Sequence, residues 1–296
     1  MLILGAGLNG CLAAYRFKNA EIHEYLNTPS VHKAVLRFRS DAVSDLTGIP
    51  FKRVEVQKGI VVDGNFVQPN IKLSNLYARK VSGMAIPRSI NNLEPSVRWI
   101  APQDFHAQML TNLRDRIKVG STYIPSKFDE PVISTIPLPV LCQKLGIDNP
   151  ISQQEKEKPI HVLTIEFESA DVYQTIYYPE HNTQIYRASM TGTMLIIEST
   201  SPITSRDAMK IINDFGLYGM THTFGDRVIQ EFGKFVPLEN TKRKKLMFGL
   251  TKDFGVYSLG RHATWRKLML DDIPNDLDVI QRLIEVDEYD IRIGKK

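Results

Sequence analysis

Three glycines near the start of the chain have a spacing that suits dinucleotide binding. Gly5, Gly7 and Gly10 follow the apolar run 1–4 and precede the helix-like segment 11–17. In such a site the first glycine permits a tight turn, the second lets backbone approach a pyrophosphate, and the third lets the helix pack against the strand. The helix N-terminus adds N–H groups and a positive dipole. We therefore predict that a pyrophosphate binds to this turn, formed by Gly5, Ala6, Gly7, Leu8, Asn9 and Gly10.

An acidic residue stands where a bound ribose requires one. Glu24 lies nineteen positions after Gly5, at the end of the second predicted strand. A carboxylate about 20 residues beyond the fingerprint binds the ribose hydroxyls in dinucleotide sites. Because NAD and FAD both present adenosine diphosphate to this motif, the turn and Glu24 alone do not distinguish the two cofactors.

The segments that must position these residues alternate between strands and helices. Strands at 1–4 and 20–24 with a helix at 10–17 predict the start of a βαβ unit. A helix from Pro102 and a strand at 132–135 bring the chain back to a parallel sheet. Beyond a polar linker at 152–159, an antiparallel meander is predicted at 161–168, 172–178, 183–189 and 193–199. Helices are then expected after Thr204, which with Asp207 resembles a capping box, and at 225–232.

The C-terminal stretch "SLGRHATWRKLMLDDIPNDLDVI" carries a resemblance to a known superfamily. It is similar to the closing flavin motif of the glutathione-reductase-type FAD fold, within the FAD-dependent oxidoreductase superfamily. The UDP-galactopyranose mutase and amine oxidase branch is the most similar. There a strand ends in Gly-Arg, an aromatic follows, and an acid precedes a helix aimed at the flavin. The resemblance implies an FAD site and assigns to it Gly260, Arg261, Trp265, Asp271 and Asp272.

The resemblance also implies the fold class and the domain organisation. We expect an α/β protein with a Rossmann-like FAD-binding domain, built on a parallel central sheet, and a smaller antiparallel β-rich substrate domain. The FAD-binding domain is predicted to be discontinuous, at 1–57, 98–150 and 246–296. The substrate domain is predicted at 58–97 and 151–245.

Two features depart from the pattern of this branch. Only fourteen positions separate Gly10 from Glu24, which predicts a first helix shortened by about one turn. The branch also places an arginine-bearing turn after its second strand, for which Arg37 and Arg39 in "VLRFRS" are the candidates. The alternative is that both arginines are solvated residues at a strand edge.

A bound flavin allows two kinds of chemistry here. In an oxidoreductase, flavin N5 takes a hydride from a carbon bearing an amine or alcohol. Lys234 is a candidate for the lysine that amine oxidases hold near N5, and His262 is a second candidate for the flavin site. In a mutase, reduced N5 attacks a sugar carbon. Tyr186 and Arg187, with Tyr177 or Tyr178 opposite, would then bind a nucleotide pyrophosphate.

The sequence leaves the reaction open among three alternatives. The first is an FAD-dependent oxidoreductase acting on a small amine or nucleotide-linked substrate, as in nucleotide or nucleobase tailoring. The second is a non-redox flavoenzyme resembling UDP-galactopyranose mutase. The third is a flavin- or nucleotide-binding protein that is not an enzyme.

Composition narrows the class of protein further. Net charge is +4 and no stretch approaches the roughly 18 apolar residues of a membrane span, so we expect a soluble, cytoplasmic protein without a leader. The basic run 242–245 is expected at a solvated strand or turn edge, which gives no strong nucleic-acid signal. The chain has two cysteines and no HxxxH or CxxC spacing, so we expect neither a disulfide framework nor a metal site. The expected partner is a small, anionic or nucleotide-linked molecule.

Overall fold

The computed structural model describes residues 1–32, 34–85, 90–125, 130–148, 151, 158–234 and 238–292, without the side chains of 158, 231–234 and 287–292. Its strands, in chain order, are β1 (Leu2–Leu4), β2 (Glu21–His23), β3 (Arg37–Phe38), β4 (Lys52–Val62), β5 (Asn65–Phe66), β6 (Ser96–Ile100), β7 (Ile117–Lys118), β8 (Val132–Ser134), β9 (Lys158–Phe167), β10 (Val172–Tyr177), β11 (Ile185–Gly192), β12 (Met194–Ser199), β13 (His222–Lys234) and β14 (Val256–Ser258). Its helices are α1 (Leu8–Arg16), α2 (Ala42–Thr47), α3 (Ile71–Ser82), α4 (Phe105–Asn112), α5 (Leu138–Leu145), α6 (Ser205–Asp214), α7 (Asn240–Phe254), α8 (Arg261–Thr264) and α9 (Ile273–Arg292). None of these helices combines the length and the apolar character that crossing a bilayer requires.

The chain divides into two compact units. Unit 1 comprises Met1–Lys52, Trp99–Lys156 and Val236–Lys296, and unit 2 comprises Arg53–Arg98 and Glu157–Phe235. The domain boundaries expected from the sequence lie after 57, 97, 150 and 245. Residues 238–245 belong to unit 1 in the structure, because they lead into α7 after β13 has ended.

Unit 1 is built on a parallel sheet with the strand order β14-β8-β1-β2-β7. Leu4 of β1 is in register with His23 of β2 on one side and with Ser134 of β8 on the other. Because β1 is followed by β2 on one side while β8 lies on the other, the carboxyl ends of these strands border a topological switch point. Such a point is where open α/β sheets bind ligands.

The core of unit 1 holds α1 against this sheet. Apolar residues of α1 and of the strands are buried together with residues from α4 and α9, including Ile3, Leu12, Ile22, Met109, Ile133 and Leu277. Gly10 and Ala13 also lie on the buried face of α1, so the helix can approach the sheet closely. Because close-packed side chains leave a helix little room to shift, this core fixes the position of the helix N-terminus relative to β1.

Unit 2 is dominated by a larger, mostly antiparallel sheet. Its strands follow the order β13-β9-β12-β11-β10-β4, and β6 comes next. The pairs β10–β11, β11–β12, β9–β12 and β9–β13 are antiparallel, whereas β4 pairs with β10 in parallel. The predicted α/β class, with a parallel sheet and a separate β-rich region, is confirmed.

Two local expectations about unit 2 have different outcomes. The capping box is present, because the Thr204 hydroxyl accepts from the Asp207 N–H at 3.1 Å and the Asp207 carboxylate accepts from the Thr204 N–H at 3.0 Å. The predicted helix at 225–232 is wrong, because these residues lie inside β13 and pair with β9. The basic run 242–245 lies within α7 rather than at a strand or turn edge.

Candidate functional site

The glycine turn leaves β1 and enters α1 with little space around two of its glycines. Gly5 has a φ of +95°, and a Cβ there would lie 2.7 Å from Thr135 Oγ1. A Cβ on Gly10 would overlap the carbonyl oxygen of Gly5. Both positions therefore require glycine, Gly5 for its backbone conformation and Gly10 for the close approach of the helix to the turn.

Gly7 differs from the other two glycines. It caps α1 with a φ of −70° and a ψ of 178°, a conformation open to most residues. A Cβ on Gly7 would meet no atom within 4 Å, so the turn faces open space there. The space above Gly7 is what a pyrophosphate approaching the backbone needs.

Glu24 is held against the glycine turn. Its Oε2 accepts from the Ala6 N–H at 2.7 Å, and its Oε1 accepts from the Leu26 N–H at 2.9 Å. The carboxylate is therefore fixed at the end of β2. A carboxylate oxygen can accept more than one hydrogen bond, so both oxygens of Glu24 remain able to accept from ribose hydroxyls.

The C-terminal motif lies against the N-terminal one. β14 pairs with β8, and Leu259 N–H donates to the Ser134 carbonyl at 2.9 Å. Gly260 follows with a φ of +95°, and a Cβ there would overlap the side-chain amide of Asn9. The structure thus brings together Asn9 and Gly260, which are about 250 positions apart in sequence.

Buried polar atoms accompany this junction. Among the described residues, Asn9 Oδ1, Ser134 Oγ and Ser258 Oγ are buried without a hydrogen-bond partner. Ser134 and Ser258 are the last residues of β8 and β14, in register with each other. Because buried polar atoms are normally paired, this group fits a polar ligand at the carboxyl end of the sheet.

Three groups of the C-terminal motif accept hydrogen bonds from backbone N–H groups: the two aspartates and the carbonyl of Trp265. Asp271 Oδ1 accepts from the Arg39 N–H at 2.5 Å, and Asp272 Oδ2 accepts from the Met269 N–H at 2.9 Å. Trp265 is buried at 5% exposure, with a φ of 48°, and its carbonyl accepts from the Leu238 N–H. Arg261 begins α8, next to half-buried His262.

The two arginine candidates sit on β3 and just beyond it. Arg37 pairs with Ile100 in the β3–β6 ladder, whereas Arg39 is exposed. Because Arg39 reaches Asp271 through its backbone N–H, its guanidinium is not used in that contact.

The predicted substrate residues lie in unit 2. Arg187 Nη2 donates to Glu198 Oε1 at 2.7 Å, and Arg187 Nε also contacts this carboxylate. The Tyr186 hydroxyl donates to the same carboxylate at 3.3 Å, and burial together with Glu198 raises the pKa of Tyr186. Tyr186 packs with Tyr177 in one apolar cluster, whereas Tyr178 belongs to another. Lys234 ends β13 opposite Lys158, and its side chain lies outside the described residues.

Sequence reasoning did not single out two residues that contact the turn. The Thr135 hydroxyl donates to the Leu4 carbonyl at 2.7 Å and lies against Gly5. His106 lies 3.0 Å from the Ala6 carbonyl. A threonine after a strand and a histidine on an apolar helix face carry no distinctive spacing, so the sequence offered no signal for either.

Comparison with known proteins identifies the fold. No family profile matches the chain, and no curated protein matches it by sequence. Among solved structures, reduced UDP-galactopyranose mutase has a TM-score of 0.70 at 14% identity, over 96% of this chain and 93% of that one. Putrescine oxidase bound to putrescine has a TM-score of 0.55 at 9% identity, over 96% and 97% of the two chains.

A third solved structure contains the cofactor. Aklavinone-11 hydroxylase in complex with FAD and aklavinone has a TM-score of 0.52 at 10% identity, over 97% of this chain and 62% of that one. The chain therefore has the fold of FAD-binding enzymes, and its predicted likeness to the mutase and amine oxidase branch is confirmed at the level of fold.

Proposed function

We propose that this chain binds FAD and is a flavin-dependent oxidoreductase that takes a hydride from a small amine or a nucleotide-linked substrate. The observation that carries the proposal is the contact between Gly260 and Asn9. A nicotinamide dehydrogenase does not need the C-terminal end of the chain to return to its first strand, whereas this junction brings a second, C-terminal motif to the same edge of the sheet.

The residues at this edge fit an extended dinucleotide. The open backbone at Gly7 suits the pyrophosphate, and the Glu24 carboxylate suits the adenosine ribose. Asn9 Oδ1, Ser134 Oγ and Ser258 Oγ are available to further polar groups of the cofactor. Bound FAD supplies a hydride acceptor, and the protein contributes binding, orientation and electrostatics.

The polar residues proposed for the substrate side are Lys234, Tyr186 and Arg187. The ion pair with Glu198 already neutralises Arg187 and would oppose an anionic phosphate at this point. Such a pair supports an amine or neutral group as the substrate more than a pyrophosphate gripped by Arg187.

A non-redox reaction on a nucleotide sugar is the second candidate. The TM-score of 0.70 with a reduced mutase, over nearly the whole of both chains, favours it. The two reactions make opposite demands on the flavin, because an oxidoreductase starts from its oxidised form and a mutase of this kind uses the reduced form without net oxidation.

The absorbance spectrum of the purified protein tests the cofactor first. We expect flavin bands near about 375 and about 450 nm that persist through gel filtration and leave the protein on heating. Anaerobic addition of a panel of primary amines and nucleotide-linked alcohols should bleach the band near about 450 nm for the oxidoreductase. Turnover of nucleotide sugars only after dithionite reduction would support the mutase instead. A colourless protein that cannot be reconstituted with FAD would refute both.

A further inference from the structure

A histidine outside all the sequence motifs lies beneath the glycine turn. His106, the second residue of α4, is 2% exposed, and its Nε2 lies 3.0 Å from the Ala6 carbonyl oxygen. The His32 N–H donates to Nδ1 of the same ring at 2.9 Å. Because Nδ1 accepts this bond, the proton of the neutral ring is on Nε2 and is donated to Ala6.

The Ala6 residue is thus held through both of its backbone polar groups. Its N–H donates to Glu24, and its carbonyl accepts from His106 and, at 3.4 Å, from the Cys11 thiol. Burial raises the pKa of Cys11 to about 12, with a further contribution from Glu24, so the thiol remains a neutral donor.

The orientation of the Ala6 carbonyl also determines where the next N–H points. A trans peptide is planar, with its C=O and N–H directed to opposite sides. The Ala6 carbonyl points inward to His106, so the N–H of Gly7 in the same peptide unit points outward. Gly7 is exposed, and the space above it is open.

We propose that His106 is a positioning residue for the cofactor: by holding the Ala6 carbonyl inward, it presents the Gly7 N–H to the anionic diphosphate. This inference rests on the proposed FAD site. It assigns to α4 a role in ligand binding, although α4 follows β1 by about 100 residues.

The arrangement requires a neutral imidazole. Protonation would put a second N–H on Nδ1, directly facing the His32 N–H, and the ring would have to move. Among the residues that the structure describes, the titratable groups that face His106 are Cys11 from α1, the His32 side chain and the Glu24 carboxylate beyond Ala6. Burial lowers the pKa of His106, which the bond to Ala6 partly opposes, so the neutral form is the resting form near pH 7.

Two conservative variants separate the two ring nitrogens. His106→Gln carries an amide donor at the reach of Nε2 and can still hold the Ala6 carbonyl. His106→Asn reaches only as far as Nδ1 and can satisfy His32 but not Ala6. Met109→Leu, a volume-conserving change at a buried position one turn along α4, is the matched control for loosening of the helix.

Quenching of flavin fluorescence measures the dissociation constant of FAD for each full-length apoprotein. Urea unfolding of the same apoproteins measures their free energy of unfolding. We expect His106→Asn to weaken FAD binding about tenfold, the loss of roughly one charge-assisted hydrogen bond. His106→Gln and Met109→Leu should stay within about threefold of wild type. Because the pKa of His106 lies below its usual value of 6.5, we expect wild-type affinity to hold between about pH 8 and about 6.5. Below that, down to about pH 4.5, it should fall more steeply than the affinity of His106→Gln.

Two results would overturn the inference while wild type still binds FAD. One is equal FAD affinity of His106→Asn and wild type. The other, which remains decisive if His106→Asn fails to fold, is an identical dependence of FAD affinity on pH, down to about pH 4.5, for His106→Gln and wild type. A wild-type chain that binds no FAD at any pH would instead refute the proposed function and this inference with it.

Discussion

At the residue scale, Gly7 and Gly10 should respond to substitution in opposite ways. Gly7→Val places its side chain in open space and in an extended conformation, so we expect a folded protein that has lost about 1 kcal/mol through a poorer helix cap. The same side chain would occupy the place of the pyrophosphate, and FAD binding should fall at least about a hundredfold. Gly10→Ala meets backbone and should cost about 3 kcal/mol of folding free energy.

Chemical unfolding and FAD titration of the same preparations measure both effects. Gly249→Ala is the control, because this glycine is within α7 and the nearest atom to an added Cβ is 4.0 Å away. Full FAD occupancy in Gly7→Val would contradict the assignment of the turn, whereas poor folding of that variant would contradict the open space above it.

Single residues also mark the limit of what the sequence could predict. The glycine spacing encodes a local backbone requirement, so it could be read directly. Arg187 instead finds Glu198 through the antiparallel register of β11 and β12, which pairs these two positions. His106 and Ala6 meet only when α4 packs beneath the turn. No local pattern specifies either partner, because both depend on the packing of distant segments.

At the scale of elements, the contact between the β14–α8 turn and the first turn of α1 should be essential for the site. Gly260→Ala would place a methyl group against Asn9, at a φ of +95° and a ψ of 171°, so α1 or the turn must shift. This backbone region is essentially restricted to glycine, and an alanine there costs about 1–3 kcal/mol before any steric overlap. We expect loss of FAD affinity together with lower stability.

A double-mutant cycle tests whether the side chain of Asn9 is what a methyl group at position 260 would overlap. Asn9→Ala removes the amide group that the new methyl would meet, so the double variant Asn9→Ala/Gly260→Ala should recover part of the stability that Gly260→Ala loses. Thermal unfolding of the four apoproteins gives the coupling. Strict additivity would show that the two motifs do not contact each other.

The predicted strands and helices match the structure where the local sequence pattern is strong. β1, α1 and β2 follow from an apolar strand, glycines and a short helix, and the capping box of α6 is encoded by Thr204 and Asp207. The helix predicted at 225–232 is wrong, although the sequence "GDRVIQEF" within β13 carries apolar residues at helical spacing. These residues form a strand instead, because β13 pairs with β9 along most of its length. Tertiary pairing of this kind overrides the preference of a short local pattern.

At the scale of the whole molecule, three separate stretches of chain build unit 1. Only the family resemblance predicted that the two ends of the chain belong to one cofactor site. Hydrophobic periodicity cannot tell which distant strands become neighbours. The strand order β14-β8-β1 supplies that information, because only β8 separates the strand of the C-terminal motif from the strand of the N-terminal motif. The chain shares this fold with a solved structure at only 14% identity because a sheet and its packed helices tolerate many apolar sequences.

Hydrogen exchange with two ligands tests how far the cofactor extends across unit 1. FAD and ADP share the adenosine diphosphate, so both should slow exchange at the glycine turn and around Glu24. Only FAD should also slow exchange in residues 256–272, because its flavin half is what the C-terminal motif is proposed to contact. At about 100 times the dissociation constant either ligand adds about 2.7 kcal/mol of overall stability, so the comparison is made at equal saturation.

Equal slowing of exchange in residues 256–272 by ADP and by FAD would mean that the C-terminal motif responds only to the adenosine diphosphate. The Gly260 junction would then stabilise the fold without holding a flavin.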